Sequence, residues 1–232
     1  MRIVYYEEAL PPRIPQDANV KVHLLYVIID DIKDCASALI TKVSDTSWIS
    51  RLPDIPKASL SANVARTINN LVKIFQGVDS TIKEEFGEFM ISMTSGSCLE
   101  SHLDHIVLPL SELWKPKSSG NEGFDFHTET PDERINFGEA KYNSSQNSYG
   151  TAASQAADFI DDNKDQSDAL FLEHLASKNA LQNLLRRSRS ISIGFSLHSE
   201  NYKAILGNTL KSDSVKRLYP SCEELFIIGI KA

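Results

Sequence analysis

The sequence has little cysteine: three residues in 232, at Cys35, Cys98 and Cys222. Because the three are odd in number and far apart along the chain, they indicate neither a disulfide framework nor a zinc cluster. We therefore expect the protein to work in a reducing compartment, the cytoplasm.

Long apolar runs are also lacking. The strongest run, from Leu24 to Ile29, is far shorter than the roughly 20 residues that cross a bilayer, and it is typical of a buried strand. The N-terminal stretch contains Glu7 and Glu8 and lacks the basic start followed by an apolar run that a signal peptide has. We expect no membrane contact and no secretion signal.

The sequence has fewer basic than acidic residues. The chain has 24 Lys and Arg against 31 Asp and Glu, which gives a formal net charge of −7. Duplex DNA is bound largely through Lys and Arg that neutralise phosphates, so this balance counts against DNA binding by the chain alone. The hydrophobic content of 41% is nevertheless that of a folded globular protein.

The pattern of apolar residues predicts one α/β domain with an N-terminal extension. We assign residues 1–60 to a strand and an extension packed on the core, and residues 61–232 to the core itself. Strands are predicted over 20–29, 191–198 and 224–230, and helices over 148–160 and 168–187.

Two further helices are predicted before the centre of the chain. Apolar residues at helical spacing indicate a helix that Gly77 ends, and a second helix from Thr81 to about Met93 with Asp79 or Ser80 as its N-cap. A break in helical structure is expected at the small residues 95–97.

A predicted β-hairpin carries the chemistry. Residues 124–128 and 135–142 have strand character, and residues 130–134 supply the turn. With the turn centred on Asp132, Asp125 stands opposite Glu139. Because side chains alternate along a strand, Lys141 shares the face of Glu139, and His127 shares the face of Asp125.

The facing carboxylates of Asp125 and Glu139 predict a metal site. Like charges directly opposite each other destabilise a hairpin unless positive charge lies between them. Mg²⁺ suits this place because it is held by one or two carboxylates and keeps ligand positions for water and substrate phosphate. We expect Mg²⁺, with Mn²⁺ as a substitute, and phosphodiester hydrolysis in which Lys141 orients water or stabilises developing charge.

The same residues resemble a known family. Asp125 followed by Gly138-Glu139-Ala140-Lys141 looks like the D…(D/E)XK core of the PD-(D/E)XK, restriction-endonuclease-like nucleases, although Phe124 stands where the motif has proline. With Phe86-Gly87-Glu88 before them, these motifs are similar to those of the HamA family, the nuclease subunits of the Hachiman anti-phage defence system. The likeness extends, more loosely, over about residues 80–200.

This resemblance implies a fold and a function. The fold would be a mixed central sheet flanked by helices. Glu88, Asp125 and Glu139 would be the metal ligands, and Lys141 the catalytic lysine. DNA would be the target, and a helicase subunit of the same defence system would be the partner that regulates the nuclease.

The acid-x-Lys motif is short, and it occurs twice more. Asp162 and Lys164 fall at a predicted helix end, where residues two apart point about 200° apart around the axis. Asp31 and Lys33 have Asp17 upstream at the interval that separates Asp125 from Glu139, but Asp17 falls in a turn. The hairpin is therefore the favoured site.

More than one interpretation stays open for several residues. Glu85 lies nearer the apolar stripe of its helix than Glu88, which is preferred on the resemblance. His127 is a general base, a phosphate ligand or a structural residue, and Gln155 contacts DNA, braces the lysine or is simply exposed. His102 and His105 are taken as structural. A basic cluster is either a DNA clamp or charge at a helix end; it comprises Lys178, Arg186, Arg187 and Arg189.

The expected function is that of a Mg²⁺-dependent DNase in bacterial anti-phage defence. Two alternatives stay open from the residues: an inactive nuclease-like module that binds DNA or a partner protein, and a stand-alone restriction endonuclease.

Overall fold

The computed structural model describes residues 1–11, 20–77, 84–115 and 123–232. They form a mixed α/β fold in which helices flank a seven-stranded sheet. The strands are β1 (Arg2–Ala9), β2 (Lys21–Ile28), β3 (Ile106–Val107), β4 (Phe126–Glu129), β5 (Ile135–Lys141), β6 (Ser190–Ser196) and β7 (Glu224–Lys231).

Helices fill most of the intervening chain. They are α1 (Ile32–Ser44), α2 (Asp54–Gln76), α3 (Glu84–Leu103), α4 (Ser111–Trp114), α5 (Tyr149–Asp161), α6 (Lys164–Leu172), α7 (Lys178–Leu185), α8 (Tyr202–Lys211) and α9 (Asp213–Leu218), with 3₁₀ turns at Ser47–Arg51 and Tyr219–Ser221. Within the described part of the chain, no helix combines the length and apolar character needed to cross a lipid bilayer.

The sheet is mixed, with its parallel strands at the centre. The strand order is β1-β2-β7-β6-β5-β4-β3. Strands β2, β7, β6 and β5 run parallel, whereas β1 at one edge and the β4–β5 and β3–β4 pairs at the other are antiparallel. Strand β5 therefore joins the parallel centre to the antiparallel hairpin.

Helices cover both faces of this centre. Adjacent residues of a strand point to opposite faces. Gly194 of β6 contacts Ser95 of α3, whereas Phe195 packs against Tyr149 of α5, so α3 and α5 lie on opposite faces. The buried face of α5 is rich in alanine, which lets that helix approach β5 and β6 closely.

The predicted hairpin and its register are confirmed. Phe126 pairs with Gly138 and His127 with Phe137, which puts Asp125 opposite Glu139. The Asp125 amide donates to the Gly138 carbonyl at 2.9 Å and extends the pairing one residue beyond β4.

Most predicted elements of the core are present. The strands expected over 20–29, 191–198 and 224–230 are β2, β6 and β7. Gly77 is the C-cap of α2, and Ser148 is the N-cap of α5. The expected start of the next helix, with Thr81 and the caps Asp79 and Ser80, lies outside the described residues.

Two predicted boundaries are wrong. Helix α3 continues through residues 95–97 to Leu103, because these small residues are buried against the sheet, where Ser95 meets Gly194. The helix expected over 168–187 is two helices, α6 and α7. The second begins anew at Ser177, whose side chain accepts a hydrogen bond from the Ala180 amide.

The N-terminal region belongs to the same sheet as the rest. Strand β1 pairs with β2, and β2 pairs with β7 near the other end of the chain. Residues 2–9 were expected only as an extended lead-in; they form an edge strand whose side chains are mostly exposed or half-buried, so no apolar alternation marks it. Helix α2 runs across the predicted division between residues 60 and 61.

Candidate functional site

The candidate site lies at the carboxyl end of β5, beside the parallel strands. The strand brings Glu139 and Lys141 to this edge, and Asp125 enters from the segment just before β4. Ligands commonly bind outside the carboxyl ends of parallel strands. Three of the predicted site residues are thus neighbours, as the hairpin register predicts.

Asp125 is held by the backbone of the opposite strand. The Ala140 amide donates a hydrogen bond of 2.8 Å to its Oδ2 atom. Burial raises the pKa of Asp125 to about 6, even though the Lys141 ammonium and the Ala140 amide act to lower that pKa. Asp125 as a residue is half-buried, in contrast to the fully buried Glu139.

Glu139 is fully buried, with 0% of the residue exposed. Among the described residues, none donates a well-directed hydrogen bond to either carboxylate oxygen, although Lys141 Nζ lies 2.9 Å from Oε1 as an ion pair. Burial, followed by the nearby Asp125 carboxylate, raises the pKa of Glu139 well above its ordinary value. The Lys141 ammonium therefore compensates only part of the cost of burying this carboxylate beside Asp125.

Lys141 is the cation of the site. Its Nζ atom lies 2.9 Å from Glu139 and 3.4 Å from Glu88 Oε1. Burial lowers the pKa of this ammonium, but the carboxylates of Glu139 and Asp125 outweigh that effect and raise the pKa overall. Lys141 therefore stays charged at neutral pH.

Glu88 rather than Glu85 is the helix carboxylate at the site. Glu85 is exposed, whereas Glu88 pairs with Lys141. The pairing depends on Gly87: a Cβ atom there would lie 2.2 Å from the ring of Tyr142, the residue after Lys141. Gly87-Glu88 on α3 therefore contacts Lys141-Tyr142 at the end of β5: Gly87 lies against Tyr142, and Glu88 pairs with Lys141.

The donor set suits a hard cation. Glu88, Asp125 and Glu139 bring three carboxylates to one ammonium, and carboxylate oxygens are the ligands that Mg²⁺ prefers. Across the described ranges, however, no three His, Cys, Asp or Glu side chains form a ready-made metal cluster. The residues fit a cation held mainly by Asp125 and Glu139, with positions left for other ligands.

His127 lies away from these carboxylates. The residue is 0% exposed, and its Nδ1 atom is 3.1 Å from Ser111 Oγ. Its Nε2 atom is 3.3 Å from Asp168 Oδ2. With no solvent access, His127 is a structural residue and neither a general base nor a phosphate ligand.

Phe124 departs from simple strand alternation. Strict alternation would point Phe124 away from Glu139, but its ring packs on Phe137, which shares the Glu139 face of β5. Alternation does not extend to this residue because it precedes the regular strand.

Within the described ranges, the other two acid-x-Lys motifs lie in or beside helices instead of on a strand. Asp31 is the N-cap of α1 and accepts a hydrogen bond from the Asp34 amide, while Lys33 lies in the first turn of that helix. Asp162 is the C-cap of α5, and Lys164 begins α6. Asp17 lies outside the described residues.

The residues of the predicted basic cluster differ in burial and in their partners. Arg189 is 4% exposed and forms a buried ion pair with Asp165, so it is structural. Lys178 begins α7, whereas Arg186 and Arg187 are exposed at the end of that helix.

The remaining residues interpreted from the sequence are His102, His105 and Gln155. His105 is buried and bonded to Thr128 Oγ1, so its structural interpretation is confirmed. His102 is exposed and packs edge-on against Tyr6, and its structural interpretation stays a prediction. Gln155 is half-buried on α5, the helix that covers the Glu139 face.

Residues near the site that the sequence did not indicate are Ser111, Lys115 and Asp168. Asp168 bonds to Lys115 at 2.7 Å across a separation of 53 residues. No local spacing could indicate a contact between residues so far apart in the chain.

Comparisons of this chain with protein-family models, with the curated proteins and with the solved structures find no match.

Proposed function

We propose that this protein is a Mg²⁺-dependent nuclease of the PD-(D/E)XK type that hydrolyses DNA. The observation that carries the proposal is Glu139: a buried carboxylate opposite Asp125 and 2.9 Å from the Lys141 ammonium, whose two oxygens accept no hydrogen bond from the part of the chain that the structure describes. Two carboxylates and a lysine at a strand end are the groups that metal-assisted phosphodiester hydrolysis requires.

Each residue has a distinct part in this proposal. Asp125 and Glu139 would hold Mg²⁺, with Mn²⁺ as a substitute, and Glu88 is the third carboxylate beside them. Bound Mg²⁺ supplies Lewis acidity at the phosphate. Lys141, aligned by Glu139 and Glu88, donates hydrogen bonds to a phosphate oxygen or to the attacking water.

The reaction adds water across one phosphorus–oxygen bond. The oxygen of water bonds to phosphorus, the bond to the leaving sugar oxygen breaks, and a proton ends on that oxygen. One product end carries a phosphate and the other a hydroxyl.

The biological setting is part of the same proposal and depends on the motif resemblance alone. The chain would be the nuclease effector of a bacterial anti-phage system and would work with a helicase partner. A net charge of −7 supports the need for a partner, because the chain is poorly equipped to attract DNA without help.

The test is cleavage of plasmid and linear DNA with and without Mg²⁺, by the chain alone and together with the helicase. Glu139→Gln and Lys141→Met should each lower the cleavage rate at least about 100-fold, since each removes a charged group that acts on the reacting phosphate. Folding is checked by circular dichroism.

A matched control is available in α1. Asp31 and Lys33 form the same acid-x-Lys motif away from the site. Asp31→Asn and Lys33→Met should therefore leave cleavage unchanged. If Glu139→Gln and Lys141→Met still cleave, the site assignment is wrong. If wild type cleaves under none of these conditions, a module that binds DNA or a partner is the better description.

A further inference from the structure

A buried polar cluster lies beside the segment that carries Asp125. It consists of Ser111, Lys115, His127 and Asp168, and we call it the Asp168 cluster. Asp168 Oδ2 is 2.7 Å from Lys115 Nζ and 3.3 Å from His127 Nε2. Ser111 Oγ is 3.1 Å from His127 Nδ1, which closes a chain of contacts from α4 to α6.

The cluster buries charge that must be paired. The side chains of Asp168 and Lys115 are 4% and 11% exposed. Burying a carboxylate is costly unless a cation or donors compensate it. Although burial acts to raise the pKa of Asp168, the neighbouring His127 and Lys115 outweigh it and lower that pKa, so Asp168 stays ionised.

Three members of the cluster reach the chain around Asp125. Ser111 Oγ donates to the Phe124 carbonyl at 2.9 Å, immediately before Asp125. His127 lies two residues after Asp125. Lys115 lies against Gly123, where a Cβ atom would be 2.5 Å from Nζ.

Within the described part of the chain, Asp125 has few restraints of its own. Its amide bonds to the Gly138 carbonyl, and its carboxylate accepts one hydrogen bond from the Ala140 amide. The regular ladder of β4 begins only at Phe126. The position of the carboxylate therefore depends on how firmly residues 123–127 are anchored.

We infer that Asp168, acting through Lys115 and His127, is a positioning residue that holds the segment 123–127 so that the Asp125 carboxylate faces Glu139. Asp168 itself touches neither substrate nor metal. The consequence for metal binding depends on the proposed function, whereas the anchoring of the segment does not.

The first readout is Mn²⁺ affinity, measured by electron paramagnetic resonance on the full chain. Asp168→Asn keeps the shape of the side chain and removes its charge. It should weaken Mn²⁺ binding by roughly 10-fold or more, the usual effect of disturbing groups that orient a metal ligand. Lys115→Gln, at a less buried position, should weaken it in the same direction and serves if Asp168→Asn does not fold.

Asp165 provides a matched control on the same helix. It is as buried as Asp168 but is paired with Arg189. Asp165→Asn should lower stability without changing Mn²⁺ affinity. An equal loss of affinity in both variants would show a general structural effect and overturn the inference.

A double-mutant cycle tests whether Asp168 acts through Asp125. In an Asp125→Asn background, Asp168→Asn should weaken the remaining Mn²⁺ binding by less than about twofold, because the ligand it positions is already changed. If Asp168→Asn weakens Mn²⁺ binding as much in the Asp125→Asn background as it does in the wild-type background, a positioning role is contradicted.

Hydrogen exchange separates this inference from the nuclease proposal. Asp168→Asn should speed amide exchange in peptides covering 123–129 and 135–141, and Asp165→Asn should not. If wild type neither binds Mn²⁺ nor cleaves DNA but exchange speeds up as expected, the nuclease proposal fails and the anchoring stands. If wild type binds Mn²⁺ and Asp168→Asn changes neither exchange nor affinity, the inference fails.

Discussion

Asp125 and Glu139 place two carboxyl groups together where water is largely excluded. Burial raises the pKa of both groups, and the Lys141 ammonium compensates only part of the charge. Binding sites commonly keep such unfavourable arrangements, because the stability lost without the ligand is recovered when the ligand binds. The metal-free site should therefore gain stability from neutral substitutions.

Asp125→Asn tests this expectation. At pH 8 without metal, the substitution should raise the free energy of unfolding by about 1 kcal/mol, a value discounted for the partial exposure of the side chain. The amide has no charge to desolvate, and its oxygen can still accept from Ala140. Urea denaturation in a chelating buffer measures the change. Asp31→Asn, which keeps a good N-cap, should have little effect, and a less stable Asp125→Asn protein would contradict the prediction.

His105 gives the fold a sensitivity to acid that is independent of the site. The residue is 4% exposed, bonds to Thr128, and has its pKa lowered to about 4 by burial. Glu224 acts to raise that pKa and His23 to lower it further. Because the folded pKa lies below the unfolded value near 6.5, His105 destabilises the fold progressively as the pH falls from about 6.5 towards 4.

The measurement is urea denaturation of wild type and His105→Gln between pH 7.5 and 5. Over this interval wild type should lose about 2 kcal/mol more stability than the variant, which has no group to protonate at this position. Equal pH dependence of the two proteins would show that His105 does not titrate as its burial predicts.

At the scale of elements, the site depends on how closely α3 approaches the end of β5. Gly87 leaves the space that the Tyr142 ring occupies, and one residue later Glu88 pairs with Lys141. Ser95, also on α3, meets Gly194 of β6. These contacts explain why a helix with Ser and Gly at its centre is continuous: small residues weaken a helix in isolation but allow close packing on a sheet.

Gly87→Ala should separate α3 from β5. An added Cβ atom would overlap Tyr142, and overpacking of this kind costs roughly 1–3 kcal/mol, more than the gain of about 1 kcal/mol in helix propensity. Cleavage should fall because Glu88 no longer aligns Lys141. Thermal unfolding and the cleavage assay report the two effects.

Gly96→Ala on the same helix is the control. There a Cβ atom would lie 3.6 Å from Val107, an ordinary contact distance, so stability should stay the same or rise. If Gly87→Ala were as well tolerated as Gly96→Ala, the close approach of α3 would not be essential to the site.

At the scale of the whole molecule, the acidic charge and the proposed substrate oppose each other. The net charge is −7, and Arg189, one member of the predicted basic cluster, is occupied by Asp165 inside the fold. A partner that supplies the contacts to the DNA backbone would resolve the opposition and would also confine cleavage to DNA that the partner has engaged.

The isolated chain should therefore bind duplex DNA weakly. At physiological salt its dissociation constant should be about 10⁻⁵ M or weaker, in the range of non-specific binding. Fluorescence anisotropy with a labelled duplex measures this value, and adding the helicase should lower it. Submicromolar binding by the chain alone would remove the physical reason for a partner.

The sequence by itself determined the features that neighbouring residues control. Alternation of side chains and the turn at 130–134 were enough to predict the register that puts Asp125 opposite Glu139 and Lys141 on the same strand. The strands β2 and β7 were predictable because they are apolar over consecutive residues, and β6 because its apolar residues alternate with small polar ones. The C-terminal end of α2 followed from Gly77, and the start of α5 agrees with the helix predicted from residue 148.

Only the tertiary structure decided what depends on contacts between distant residues. It placed Glu88 rather than Glu85 on Lys141, removed His127 from the site, and paired Arg189 with Asp165. It also showed that Glu139 is fully buried. Periodicity in a sequence indicates which face of an element is apolar. It does not indicate which other element covers that face or which polar groups become partners there, because packing of the whole chain sets those contacts.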